Sequence, residues 1–496
     1  MNEGGCPAVV RSQDAEAVPP PGAPAATGGG ARGQLRPRPG GRRAPSRRRL
    51  PPPPPALLLD LLYLSGAALL SPLLGWLLLT RPRLRDGLWE RLGMRRPVVR
   101  APSRPCILVH GVSVGEVMAV RPLVAELERR LPGYQIAISS TTRTGLEVAR
   151  RQFAGRPVVR FPLDVSWAVR GMLDAVRPEL VLLVELEVWP NFLAHAARRG
   201  LKVVLVNGRI TERSVRGYLR LGPLMASALG AIEFFCVQSA EYAERFRRLG
   251  VPAERLVETG SLKYDALLRP EEAAASAARF RALLGIAEQA PVLVCGSTHG
   301  PEEALLLGVY ARLRERVPGL RLVLAPRHLQ RLAEVEGACR QAGLPYVRWT
   351  ELGERPPAVP AARPAEGGEA QPVVLLDTVG ELARLYAIAT VAFVGGSLVP
   401  HGGQNMLEPA GLGKAVVFGP HVHNFSDSAQ LLLERQAAVQ VGDVAALEQA
   451  LGRLFAEAGW ARQLGERARA AVESCRGAAR RTAEVVERLL RVGARG

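Results

Sequence analysis

The chain has 496 residues, a length typical of two or three domains, and 48% of its residues are hydrophobic, which excludes wholesale disorder. The formal net charge of +19 at first suggests a nucleic-acid partner. Only three of the 65 basic residues are lysines, however, and residues 1–100 contain 16 arginines and six acids. We interpret the arginine excess as a coding bias, and with aromatic residues at 5% we exclude nucleic-acid binding.

The first hundred residues divide into three segments of different composition. Residues 1–55 are rich in Pro, Gly, Ala and Arg, which predicts a disordered tail. Residues 56–80 are apolar and predict a membrane-anchor helix. A buried core helix and a cleaved signal peptide remain alternatives for this segment. Residues 81–103 form a basic juxtamembrane segment that either contacts anionic headgroups or is simply solvated.

The apolar segment has 19 residues without a charge between Leu61 and Leu79, about enough to cross a hydrocarbon core as a helix. Asp60 and Pro72 interrupt the pattern. A carboxylate is costly in lipid and proline disturbs a helix. Both residues therefore favour shallow or kinked insertion over a straight span.

From residue 104 onward, short β-branched and aliphatic runs alternate with amphipathic stretches, which predicts parallel sheets covered by helices on both faces. The predicted strands of the first half are residues 105–110, 134–139, 157–161, 179–185, 201–206 and 232–237. An alanine-rich stretch interrupts the alternation, which restarts at residues 291–296, 320–326, 373–377, 390–396 and 415–419. We predict an α/β fold with two Rossmann-like, doubly wound domains facing a cleft, over residues 104–268 and 269–442, and C-terminal helices over 443–496.

The chemistry is expected in the loops that follow strands, because ligands of open α/β sheets bind at the carboxyl ends of the strands. Ser113, Gly115 and Glu116 follow the first strand where a helix begins. Glu116 either compensates the dipole at that helix terminus or acts as a general base in the cleft. The hydroxyl-rich run at 139–145 supplies either helix caps or a sugar or anion site.

Two further acidic residues, Glu185 and Glu187, follow a strand that is predicted to be buried. A carboxylate in that position is costly unless it is paired. Glu185 therefore either forms an ion pair with Arg209 or its neighbours, or takes part in the chemistry. Arg209 itself has the planar geometry that holds a carboxylate or phosphate through two hydrogen bonds.

The second half contains two loops typical of nucleotide binding. The run GSTHGPEE at 296–303 precedes a helix, whose free N–H groups would bind phosphate. Residues 395–425 are rich in glycine and contain Glu408, which suits paired ribose hydroxyls. Walker A and classical dinucleotide motifs are missing from the sequence, and the HVH pair at 421–423 has no further ligands at metal-site spacing, so we expect no metal. Six scattered cysteines predict buried, reduced thiols.

Between about residues 60 and 490 the chain resembles the 3-deoxy-D-manno-octulosonic acid (Kdo) transferase family, bacterial enzymes that glycosylate the lipid A precursor. The resemblance rests on motifs in a fixed order: SVGE (113–116), ELEVWPN (185–191), NGRITERSVRGY (207–218), GSLKYD (260–265), GSTHGPEE (296–303), PRH (326–328), GGSLVPHGGQNMLEPAGLGK (395–414) and FGPHVHNF (418–425). Where this chain has HGVSVGE, GSLK and HGGQN, the family usually has HAASVGE, GNLK and RGGHN.

The resemblance implies a glycosyltransferase fold of the GT-B type, a CMP-Kdo donor, a lipid A precursor as acceptor, inversion at the anomeric carbon, and no metal or other cofactor. It implies an enzyme held at the inner membrane by its N-terminal helix, with the catalytic domains on the cytoplasmic face. The implied general base is Glu116, Glu185 also matters for activity, and Ser113, Gly115, Glu187 and Arg209 support the acceptor or the transition state. Donor-binding positions fall on Lys263, Ser297, Thr298, His299, Arg327, His328, Gly402, Gly403, Asn405 and Glu408.

Two alternatives remain at this point. One is another GT-B glycosyltransferase that uses a UDP-sugar on a lipid acceptor. The other is a non-enzymatic, membrane-associated binding protein, which only the basic N-terminus favours.

Overall fold

The computed structural model describes residues 56–81, 85, 87–94, 104–353 and 371–493. All of these residues belong to one compact unit. The tail predicted over 1–55 lies outside the described residues, and so does most of the predicted basic segment at 81–103. The Pro/Gly/Glu-rich stretch at 354–371, whose composition predicts a surface loop, also lies mostly outside them.

Two parallel seven-stranded sheets form the framework. The first contains β1 (Cys106–His110), β2 (Gln135–Ser140), β3 (Val158–Arg160), β4 (Pro178–Val184), β5 (Lys202–Gly208), β6 (Phe234–Val237) and β7 (Leu256–Glu258). Its order is β3-β2-β1-β4-β5-β6-β7. The second contains β8 (Val292–Thr298), β9 (Arg321–Pro326), β10 (Tyr346–Arg348), β11 (Val373–Leu375), β12 (Val391–Val394), β13 (Ala415–Phe418) and β14 (Val439–Gln440). Its order is β10-β11-β9-β8-β12-β13-β14.

The helices of the first half are α1 (Ala56–Leu69), α2 (Ser71–Thr80), α3 (Leu88–Arg91), α4 (Val114–Ala119), α5 (Arg121–Arg130), α6 (Arg143–Gln152), α7 (Ser166–Val176), α8 (Pro190–Arg198), α9 (Glu212–Arg220), α10 (Gly222–Gly230), α11 (Ala240–Arg248) and α12 (Leu262–Asp265). Those of the second half are α13 (Pro270–Leu284), α14 (Glu302–Arg316), α15 (Leu332–Gln341), α16 (Trp349–Gly353), α17 (Leu382–Leu385), α18 (Leu407–Gly411), α19 (Ser426–Glu434), α20 (Val444–Ala456), α21 (Ala458–Ser474) and α22 (Ala478–Gly493). Short 3-10 turns occur at Ala253–Arg255, Leu329–Arg331 and Tyr386–Ile388.

The predicted α/β class with two doubly wound domains is confirmed, and each of the eleven predicted strands has a counterpart. Sequence analysis missed β7, β10 and β14, which lie at the edges of the sheets. Each has only two or three residues, too few for an apolar run. The alanine-rich interruption is mostly the helix α13.

Alternate residues of the central strands pack on opposite faces of the sheet. In β1, Cys106 and Leu108 belong to one core cluster, while Ile107 and Val109 belong to another. Every residue of this strand is buried. Both faces of the sheet are thus covered, as is usual for a parallel sheet.

The last helix, α22, returns to the first domain. Its residue Val486 lies in the same core cluster as Leu127 of α5. The Arg130 guanidinium lies 3.1 Å from the carboxylates of both Glu484 and Glu487. The Asp265 carboxylate accepts the N–H groups that begin this helix, at 2.7 Å. The chain therefore crosses between the domains twice.

The apolar N-terminal segment forms two helices, α1 and α2, with an angle of 64° between them. The break between the two helices precedes Pro72, which stands in the first turn of α2. Proline is tolerated in a first turn but not in a helix interior, so a new helix begins at this point. Of the described helices, none is by itself long and apolar enough to cross a membrane. The bent pair α1–α2 has the length and the apolar composition for a crossing only when the two helices are taken together.

Candidate active site between the two domains

Glu116 lies in the first turn of α4, directly after β1. Its Oε1 accepts a hydrogen bond from the Ser113 hydroxyl at 2.8 Å, and its Oε2 accepts from the Val112 N–H at 2.8 Å. The Ser113 hydroxyl oxygen in turn accepts from the Glu116 N–H at 3.3 Å. This reciprocal arrangement is similar to a capping box, except that the glutamate accepts the N–H of Val112 and the hydroxyl of Ser113, and it holds the carboxylate in one orientation. Each carboxylate oxygen has a further lone pair that can accept a substrate proton.

Burial raises the pKa of Glu116, and the hydrogen bonds from Val112 and Ser113 oppose this rise. The negative charge of Glu185 raises the pKa further. Glu116 therefore both stabilises a helix terminus and has the proton affinity of a stronger base than an ordinary glutamate. The two sequence interpretations of this residue do not exclude each other.

Glu185 follows β4 with a backbone φ of +63°. This left-handed conformation is uncommon for a residue with a side chain and is often found at functional sites. Arg209 Nε donates to Glu185 Oε2 at 2.8 Å, and Lys263 Nζ lies 4.0 Å from Glu185 Oε1. The ion pair that the sequence predicted as one alternative is formed, and a second cation stands beside it.

Asn207 supports this cation pair and was not predicted as a site residue. It too has a positive φ, of +55°, and it is fully buried at the end of β5. Its Oδ1 accepts the Leu262 N–H at 3.0 Å, at the beginning of the short helix that carries Lys263. Its sequence signals were its place at the end of a predicted strand and at the start of the NGRITERSVRGY motif.

Glu187 lies close enough to Glu116 and Glu185 for their charges to act on it. Burial and the charge of Glu116 raise the pKa of Glu187 to about 7, although the Trp189 indole N–H donates to its Oε2 at 2.9 Å. Three carboxylates and two cations thus gather at one edge of the first sheet. Near neutral pH, Glu187 is divided between its protonated and ionised forms.

The hydroxyl-rich run at 139–145 mainly supports the Glu116 loop. Ser140 and Thr142 both donate to the Val112 carbonyl oxygen at 2.9 Å. Thr142 also caps α6 by accepting the Gly145 N–H at 3.1 Å. These contacts favour the structural alternative that the sequence left open for this run.

In the second domain, the fully buried Glu302 organises two loops. Its Oε2 accepts the N–H groups of His299 at 3.2 Å and Gly396 at 2.8 Å. Its Oε1 accepts those of Ser397 at 3.2 Å and Leu398 at 3.0 Å. Burial raises the pKa of Glu302, and these four donors oppose the rise. The sequence did not single out this residue, because an acidic residue in a first helical turn is ordinary.

His299 stands in a cluster of polar rings. Its ring stacks on His401 with centroids 4.4 Å apart, and it meets the edge of His328 at 5.4 Å. Burial, together with the charges of His401 and His328, lowers the pKa of His299 to about 4. The ring is therefore neutral at pH 7. Gln404, where the family pattern has histidine, lies with its Nε2 3.3 Å from His299 Nε2.

Glu408 lies in the first turn of α18. Asn405 Nδ2 donates to its Oε1 at 3.0 Å. Burial raises the pKa of Glu408, while Asn405 and the charge of Arg327 oppose the rise. Asn405 and Glu408 thus form a pair of hydrogen-bonding groups, as a site for vicinal hydroxyls requires.

The glycine-rich loop allows close approach of two backbone segments. Gly402 and Gly403 have φ of +91° and +77°, and a Cβ on Gly402 would lie 2.3 Å from Asn424 Nδ2. The Gly403 N–H donates to the Gly396 carbonyl oxygen at 2.8 Å. No larger residue fits at Gly402 without displacing its neighbour.

The remaining predicted residues of this domain lie at the ends of β8 and β9. Ser297 has a φ of +55°, and Thr298 is fully buried with its carbonyl oxygen accepting the Arg327 N–H at 2.9 Å. Arg327 and His328 follow β9 and are exposed, so their side chains are accessible to a ligand. The structure therefore places these positions at the carboxyl edge of the second sheet.

The two site halves come together near Lys263. Asp427, at the start of α19, lies within electrostatic range of the Lys263 ammonium. A cavity of about 580 Å³ adjoins this contact, lined by Ser261 and Tyr264 from the first domain and by Asp427 and Glu434 from the second. Glu116, Glu185 and Glu187 are not among the residues that line it.

In the part of the chain that the structure describes, there is no group of three or more His, Cys, Asp or Glu residues that could hold a metal ion. The five cysteines within this part are unpaired, and Cys106, Cys236, Cys295 and Cys339 are buried.

Comparison with known proteins gives a consistent set of similarities. Residues 86–266 match the family model described as 3-Deoxy-D-manno-octulosonic-acid transferase (kdotransferase). The 3-deoxy-D-manno-octulosonic acid transferase of Bordetella pertussis is 35% identical over 84% of this chain and 96% of its own length. The protein of the same name from Haemophilus influenzae is 32% identical over 77% of this chain and 86% of its own length.

Among solved structures, the UDP-GlcNAc 2-epimerase of Neisseria meningitidis has a TM-score of 0.53 with 13% identity. The match covers 78% of this chain and all of that chain. At this identity the likeness concerns the fold alone, two Rossmann-like domains around a cleft.

Proposed function

Because the chain belongs to the 3-deoxy-D-manno-octulosonic acid transferase family and is thus a glycosyltransferase, we propose that it transfers Kdo from CMP-Kdo to a lipid A precursor, with inversion. The observation that carries this proposal is the cluster of Glu116, Glu185 and Glu187 beside Arg209 and Lys263. Such a cluster offers a base and charge stabilisation in one place.

Glu116 acts as the general base in this proposal. As the acceptor hydroxyl oxygen attacks the anomeric carbon of Kdo, its proton passes to the Glu116 carboxylate. The bond from that carbon to the CMP phosphate oxygen breaks, and its electron pair leaves with CMP. The raised pKa of Glu116 and its hydrogen bonds to Ser113 and Val112 support this role, because they combine proton affinity with a fixed orientation.

Glu185, Glu187, Arg209 and Lys263 support the reaction. The paired cations offset the charge of Glu185, and Arg209 binds it through Nε. The other N–H groups of this guanidinium are the proposed donors to the Kdo carboxylate or to an acceptor phosphate. Glu187 has a pKa of about 7, and its charge interacts with that of Glu116. The proton affinity of Glu116 therefore depends on whether Glu187 is ionised. Gly115 is exposed at the start of α4 and leaves room beside Glu116.

The donor nucleotide binds to the second domain in this proposal. Asn405 and Glu408 form hydrogen bonds to the ribose hydroxyls, and Arg327 and Lys263 neutralise the phosphate. Glu302 accepts the N–H groups of His299 and of the Gly396–Leu398 segment, and it thereby holds in place the loops that carry the other proposed donor contacts. The positions proposed to contact the donor are Lys263, Ser297, Thr298, His299, Arg327, His328, Gly402, Gly403, Asn405 and Glu408.

We propose the inner membrane as the site of action, with the catalytic domains on its cytoplasmic face and no cofactor besides the donor. The bent apolar pair α1–α2 supports this location, since most of the leucines whose side chains are described in it are exposed. Exposed apolar surface of this kind favours contact with lipid. A lipid acceptor would be encountered at that surface.

The direct test is Glu116→Gln assayed with CMP-Kdo and a lipid A precursor, with the product identified by mass spectrometry. We expect kcat to fall by about 10²- to 10⁴-fold, the usual contribution of a general base. Glu271→Gln is a matched control, because Glu271 also lies in a first helical turn but is exposed at the start of α13. Near wild-type turnover in Glu116→Gln would exclude the general base. Inhibition by UDP rather than CMP would indicate a UDP-sugar donor.

A further inference from the structure

The helix α1 contacts the first domain through one stripe of its surface. Leu59 is buried, and Asp60 and Tyr63 are partly buried. Tyr63 follows Leu59 and Asp60 by four and three positions, about one helical turn, so the three residues lie on one side of the helix. Around the rest of the helix, Leu58 and Leu62 are 59% and 62% exposed, and Leu61, Leu64 and Leu69 are exposed as well. One face of the helix is therefore bound to protein, and the apolar remainder is free to contact another medium.

The bound stripe is polar at its centre. Asp60 Oδ1 accepts hydrogen bonds from the Ser166 N–H and from Asn191 Nδ2, both at 2.9 Å. The Tyr63 hydroxyl donates to Asp164 Oδ2 at 3.1 Å. A helix that served only as an apolar tether would not need a carboxylate, which is costly in lipid unless protein groups satisfy it.

The partners of this stripe are themselves firmly held. Asn191 is fully buried and Asp164 is 8% exposed. The Asp164 carboxylate accepts the N–H groups of Asn191 at 2.9 Å and Phe192 at 2.7 Å, and Asn191 Nδ2 also donates to the Asp164 carbonyl oxygen at 2.8 Å. The helix α1 is thus joined to the N-termini of α7 and α8 by buried groups, which allow little freedom.

The loop between β4 and α8 connects the contacts of Asp60 and Tyr63 to the carboxylate cluster. Glu185 and Glu187 stand at one end of the loop between β4 and α8, and Asn191 stands four residues after Glu187. The Trp189 indole, between them, donates to Glu187. A movement of α1 that displaced Asn191 would therefore be transmitted to Glu187 through a few covalent bonds.

We propose that Asp60 and Tyr63 are positioning residues that lock the apolar segment to the loop carrying Glu185 and Glu187, so that the carboxylates are held at a fixed height above the membrane that contains the acceptor. This proposal rests on the proposed function and its membrane location. A flexible tether would bring the enzyme to the surface, whereas a locked one also orients it, and orientation contributes to the rate.

The test compares Asp60→Leu and Tyr63→Phe with the wild-type full chain. Three quantities are measured: flotation with anionic phospholipid vesicles, Kdo transfer to acceptor dispersed in detergent micelles, and Kdo transfer to acceptor embedded in those vesicles. We expect unchanged flotation and micellar rates within twofold of wild type, but vesicle rates at least fivefold lower. Asp60→Asn is the matched control, since its amide oxygen can still accept both hydrogen bonds and should restore the vesicle rate.

Equal losses on micelles and vesicles, or no loss on either, would overturn the positioning role. Hydrogen exchange of the amides of residues 56–69 in the vesicle-bound protein provides a readout independent of activity, and we expect faster exchange in both variants. Unchanged exchange would also overturn the proposal. If the wild-type protein forms no Kdo product on either acceptor, the proposed function fails instead, and the exchange data alone decide whether the helix is locked.

Discussion

Replacement of Glu302 by glutamine tests whether one buried carboxylate holds the proposed donor loops together. In the folded protein each of its two oxygens accepts two backbone N–H groups, at 2.8–3.2 Å. An amide retains one oxygen but replaces the other by an NH₂ group, so two N–H groups lose their acceptor and face another donor. A hydrogen bond to a charged group contributes about 1.5–3 kcal/mol, which gives a loss of roughly 3–6 kcal/mol.

The lower end of this range is expected, because the loops can relax. For a domain of this size a loss of about 3 kcal/mol lowers the melting temperature by about 6–12 °C. The same change should raise the KM for the CMP-sugar by at least tenfold, since the Gly396–Leu398 segment and His299 lose their common anchor.

The assay combines differential scanning calorimetry with initial rates over a range of donor concentrations. Glu303→Gln is the matched control, since Glu303 is buried in the same helical turn but pairs with the Arg331 side chain, at 3.0 Å. It should lower stability without changing the donor KM. A Glu302→Gln protein with wild-type melting temperature and donor KM would refute the role assigned to these four hydrogen bonds.

Three further predictions follow from the charges of the first domain. Burial and Glu116 raise the pKa of Glu187 to about 7, so the pH profile of kcat/KM should contain an ionisation near pH 7 that Glu187→Gln removes; superimposable profiles would contradict this. Lys263→Met should lower kcat about 10²-fold in initial-rate assays at saturating donor, even though Arg209 keeps its 2.8 Å contact with Glu185, and an unchanged kcat would count against the predicted role. Burial lowers the pKa of His110 from 6.5 to about 3. Between these two pH values the unfolded state binds more protons than the folded state, so the free energy of unfolding should fall as the pH drops. Urea unfolding of His110→Phe should show a weaker fall with pH, and a pH dependence identical to that of the wild type would show that His110 does not contribute.

Much of the fold follows from local patterns in the sequence. The buried strands β1, β4, β5 and β8 are continuous apolar runs followed by glycine or polar residues, so their type and order were predictable. The places of the motif loops were also predictable, because the carboxyl ends of parallel strands meet at one edge of the sheet and ligands bind there. The sequence favoured a kink in the apolar segment because of Asp60 and Pro72, and the structure has a bend there, directly before α2.

What the sequence alone determined is therefore the class of the fold, the two domains, the break in the apolar segment and the loops that carry the chemistry. Only the tertiary structure decided which groups meet. Asn191 reaches Asp60 across 131 positions of the chain, and Glu302 reaches Gly396 across 94. The last helix returns to the first domain through Arg130. Contacts of this kind leave no periodic signal, because they depend on where the two sheets and their helices lie in space rather than on the spacing of residues within one element.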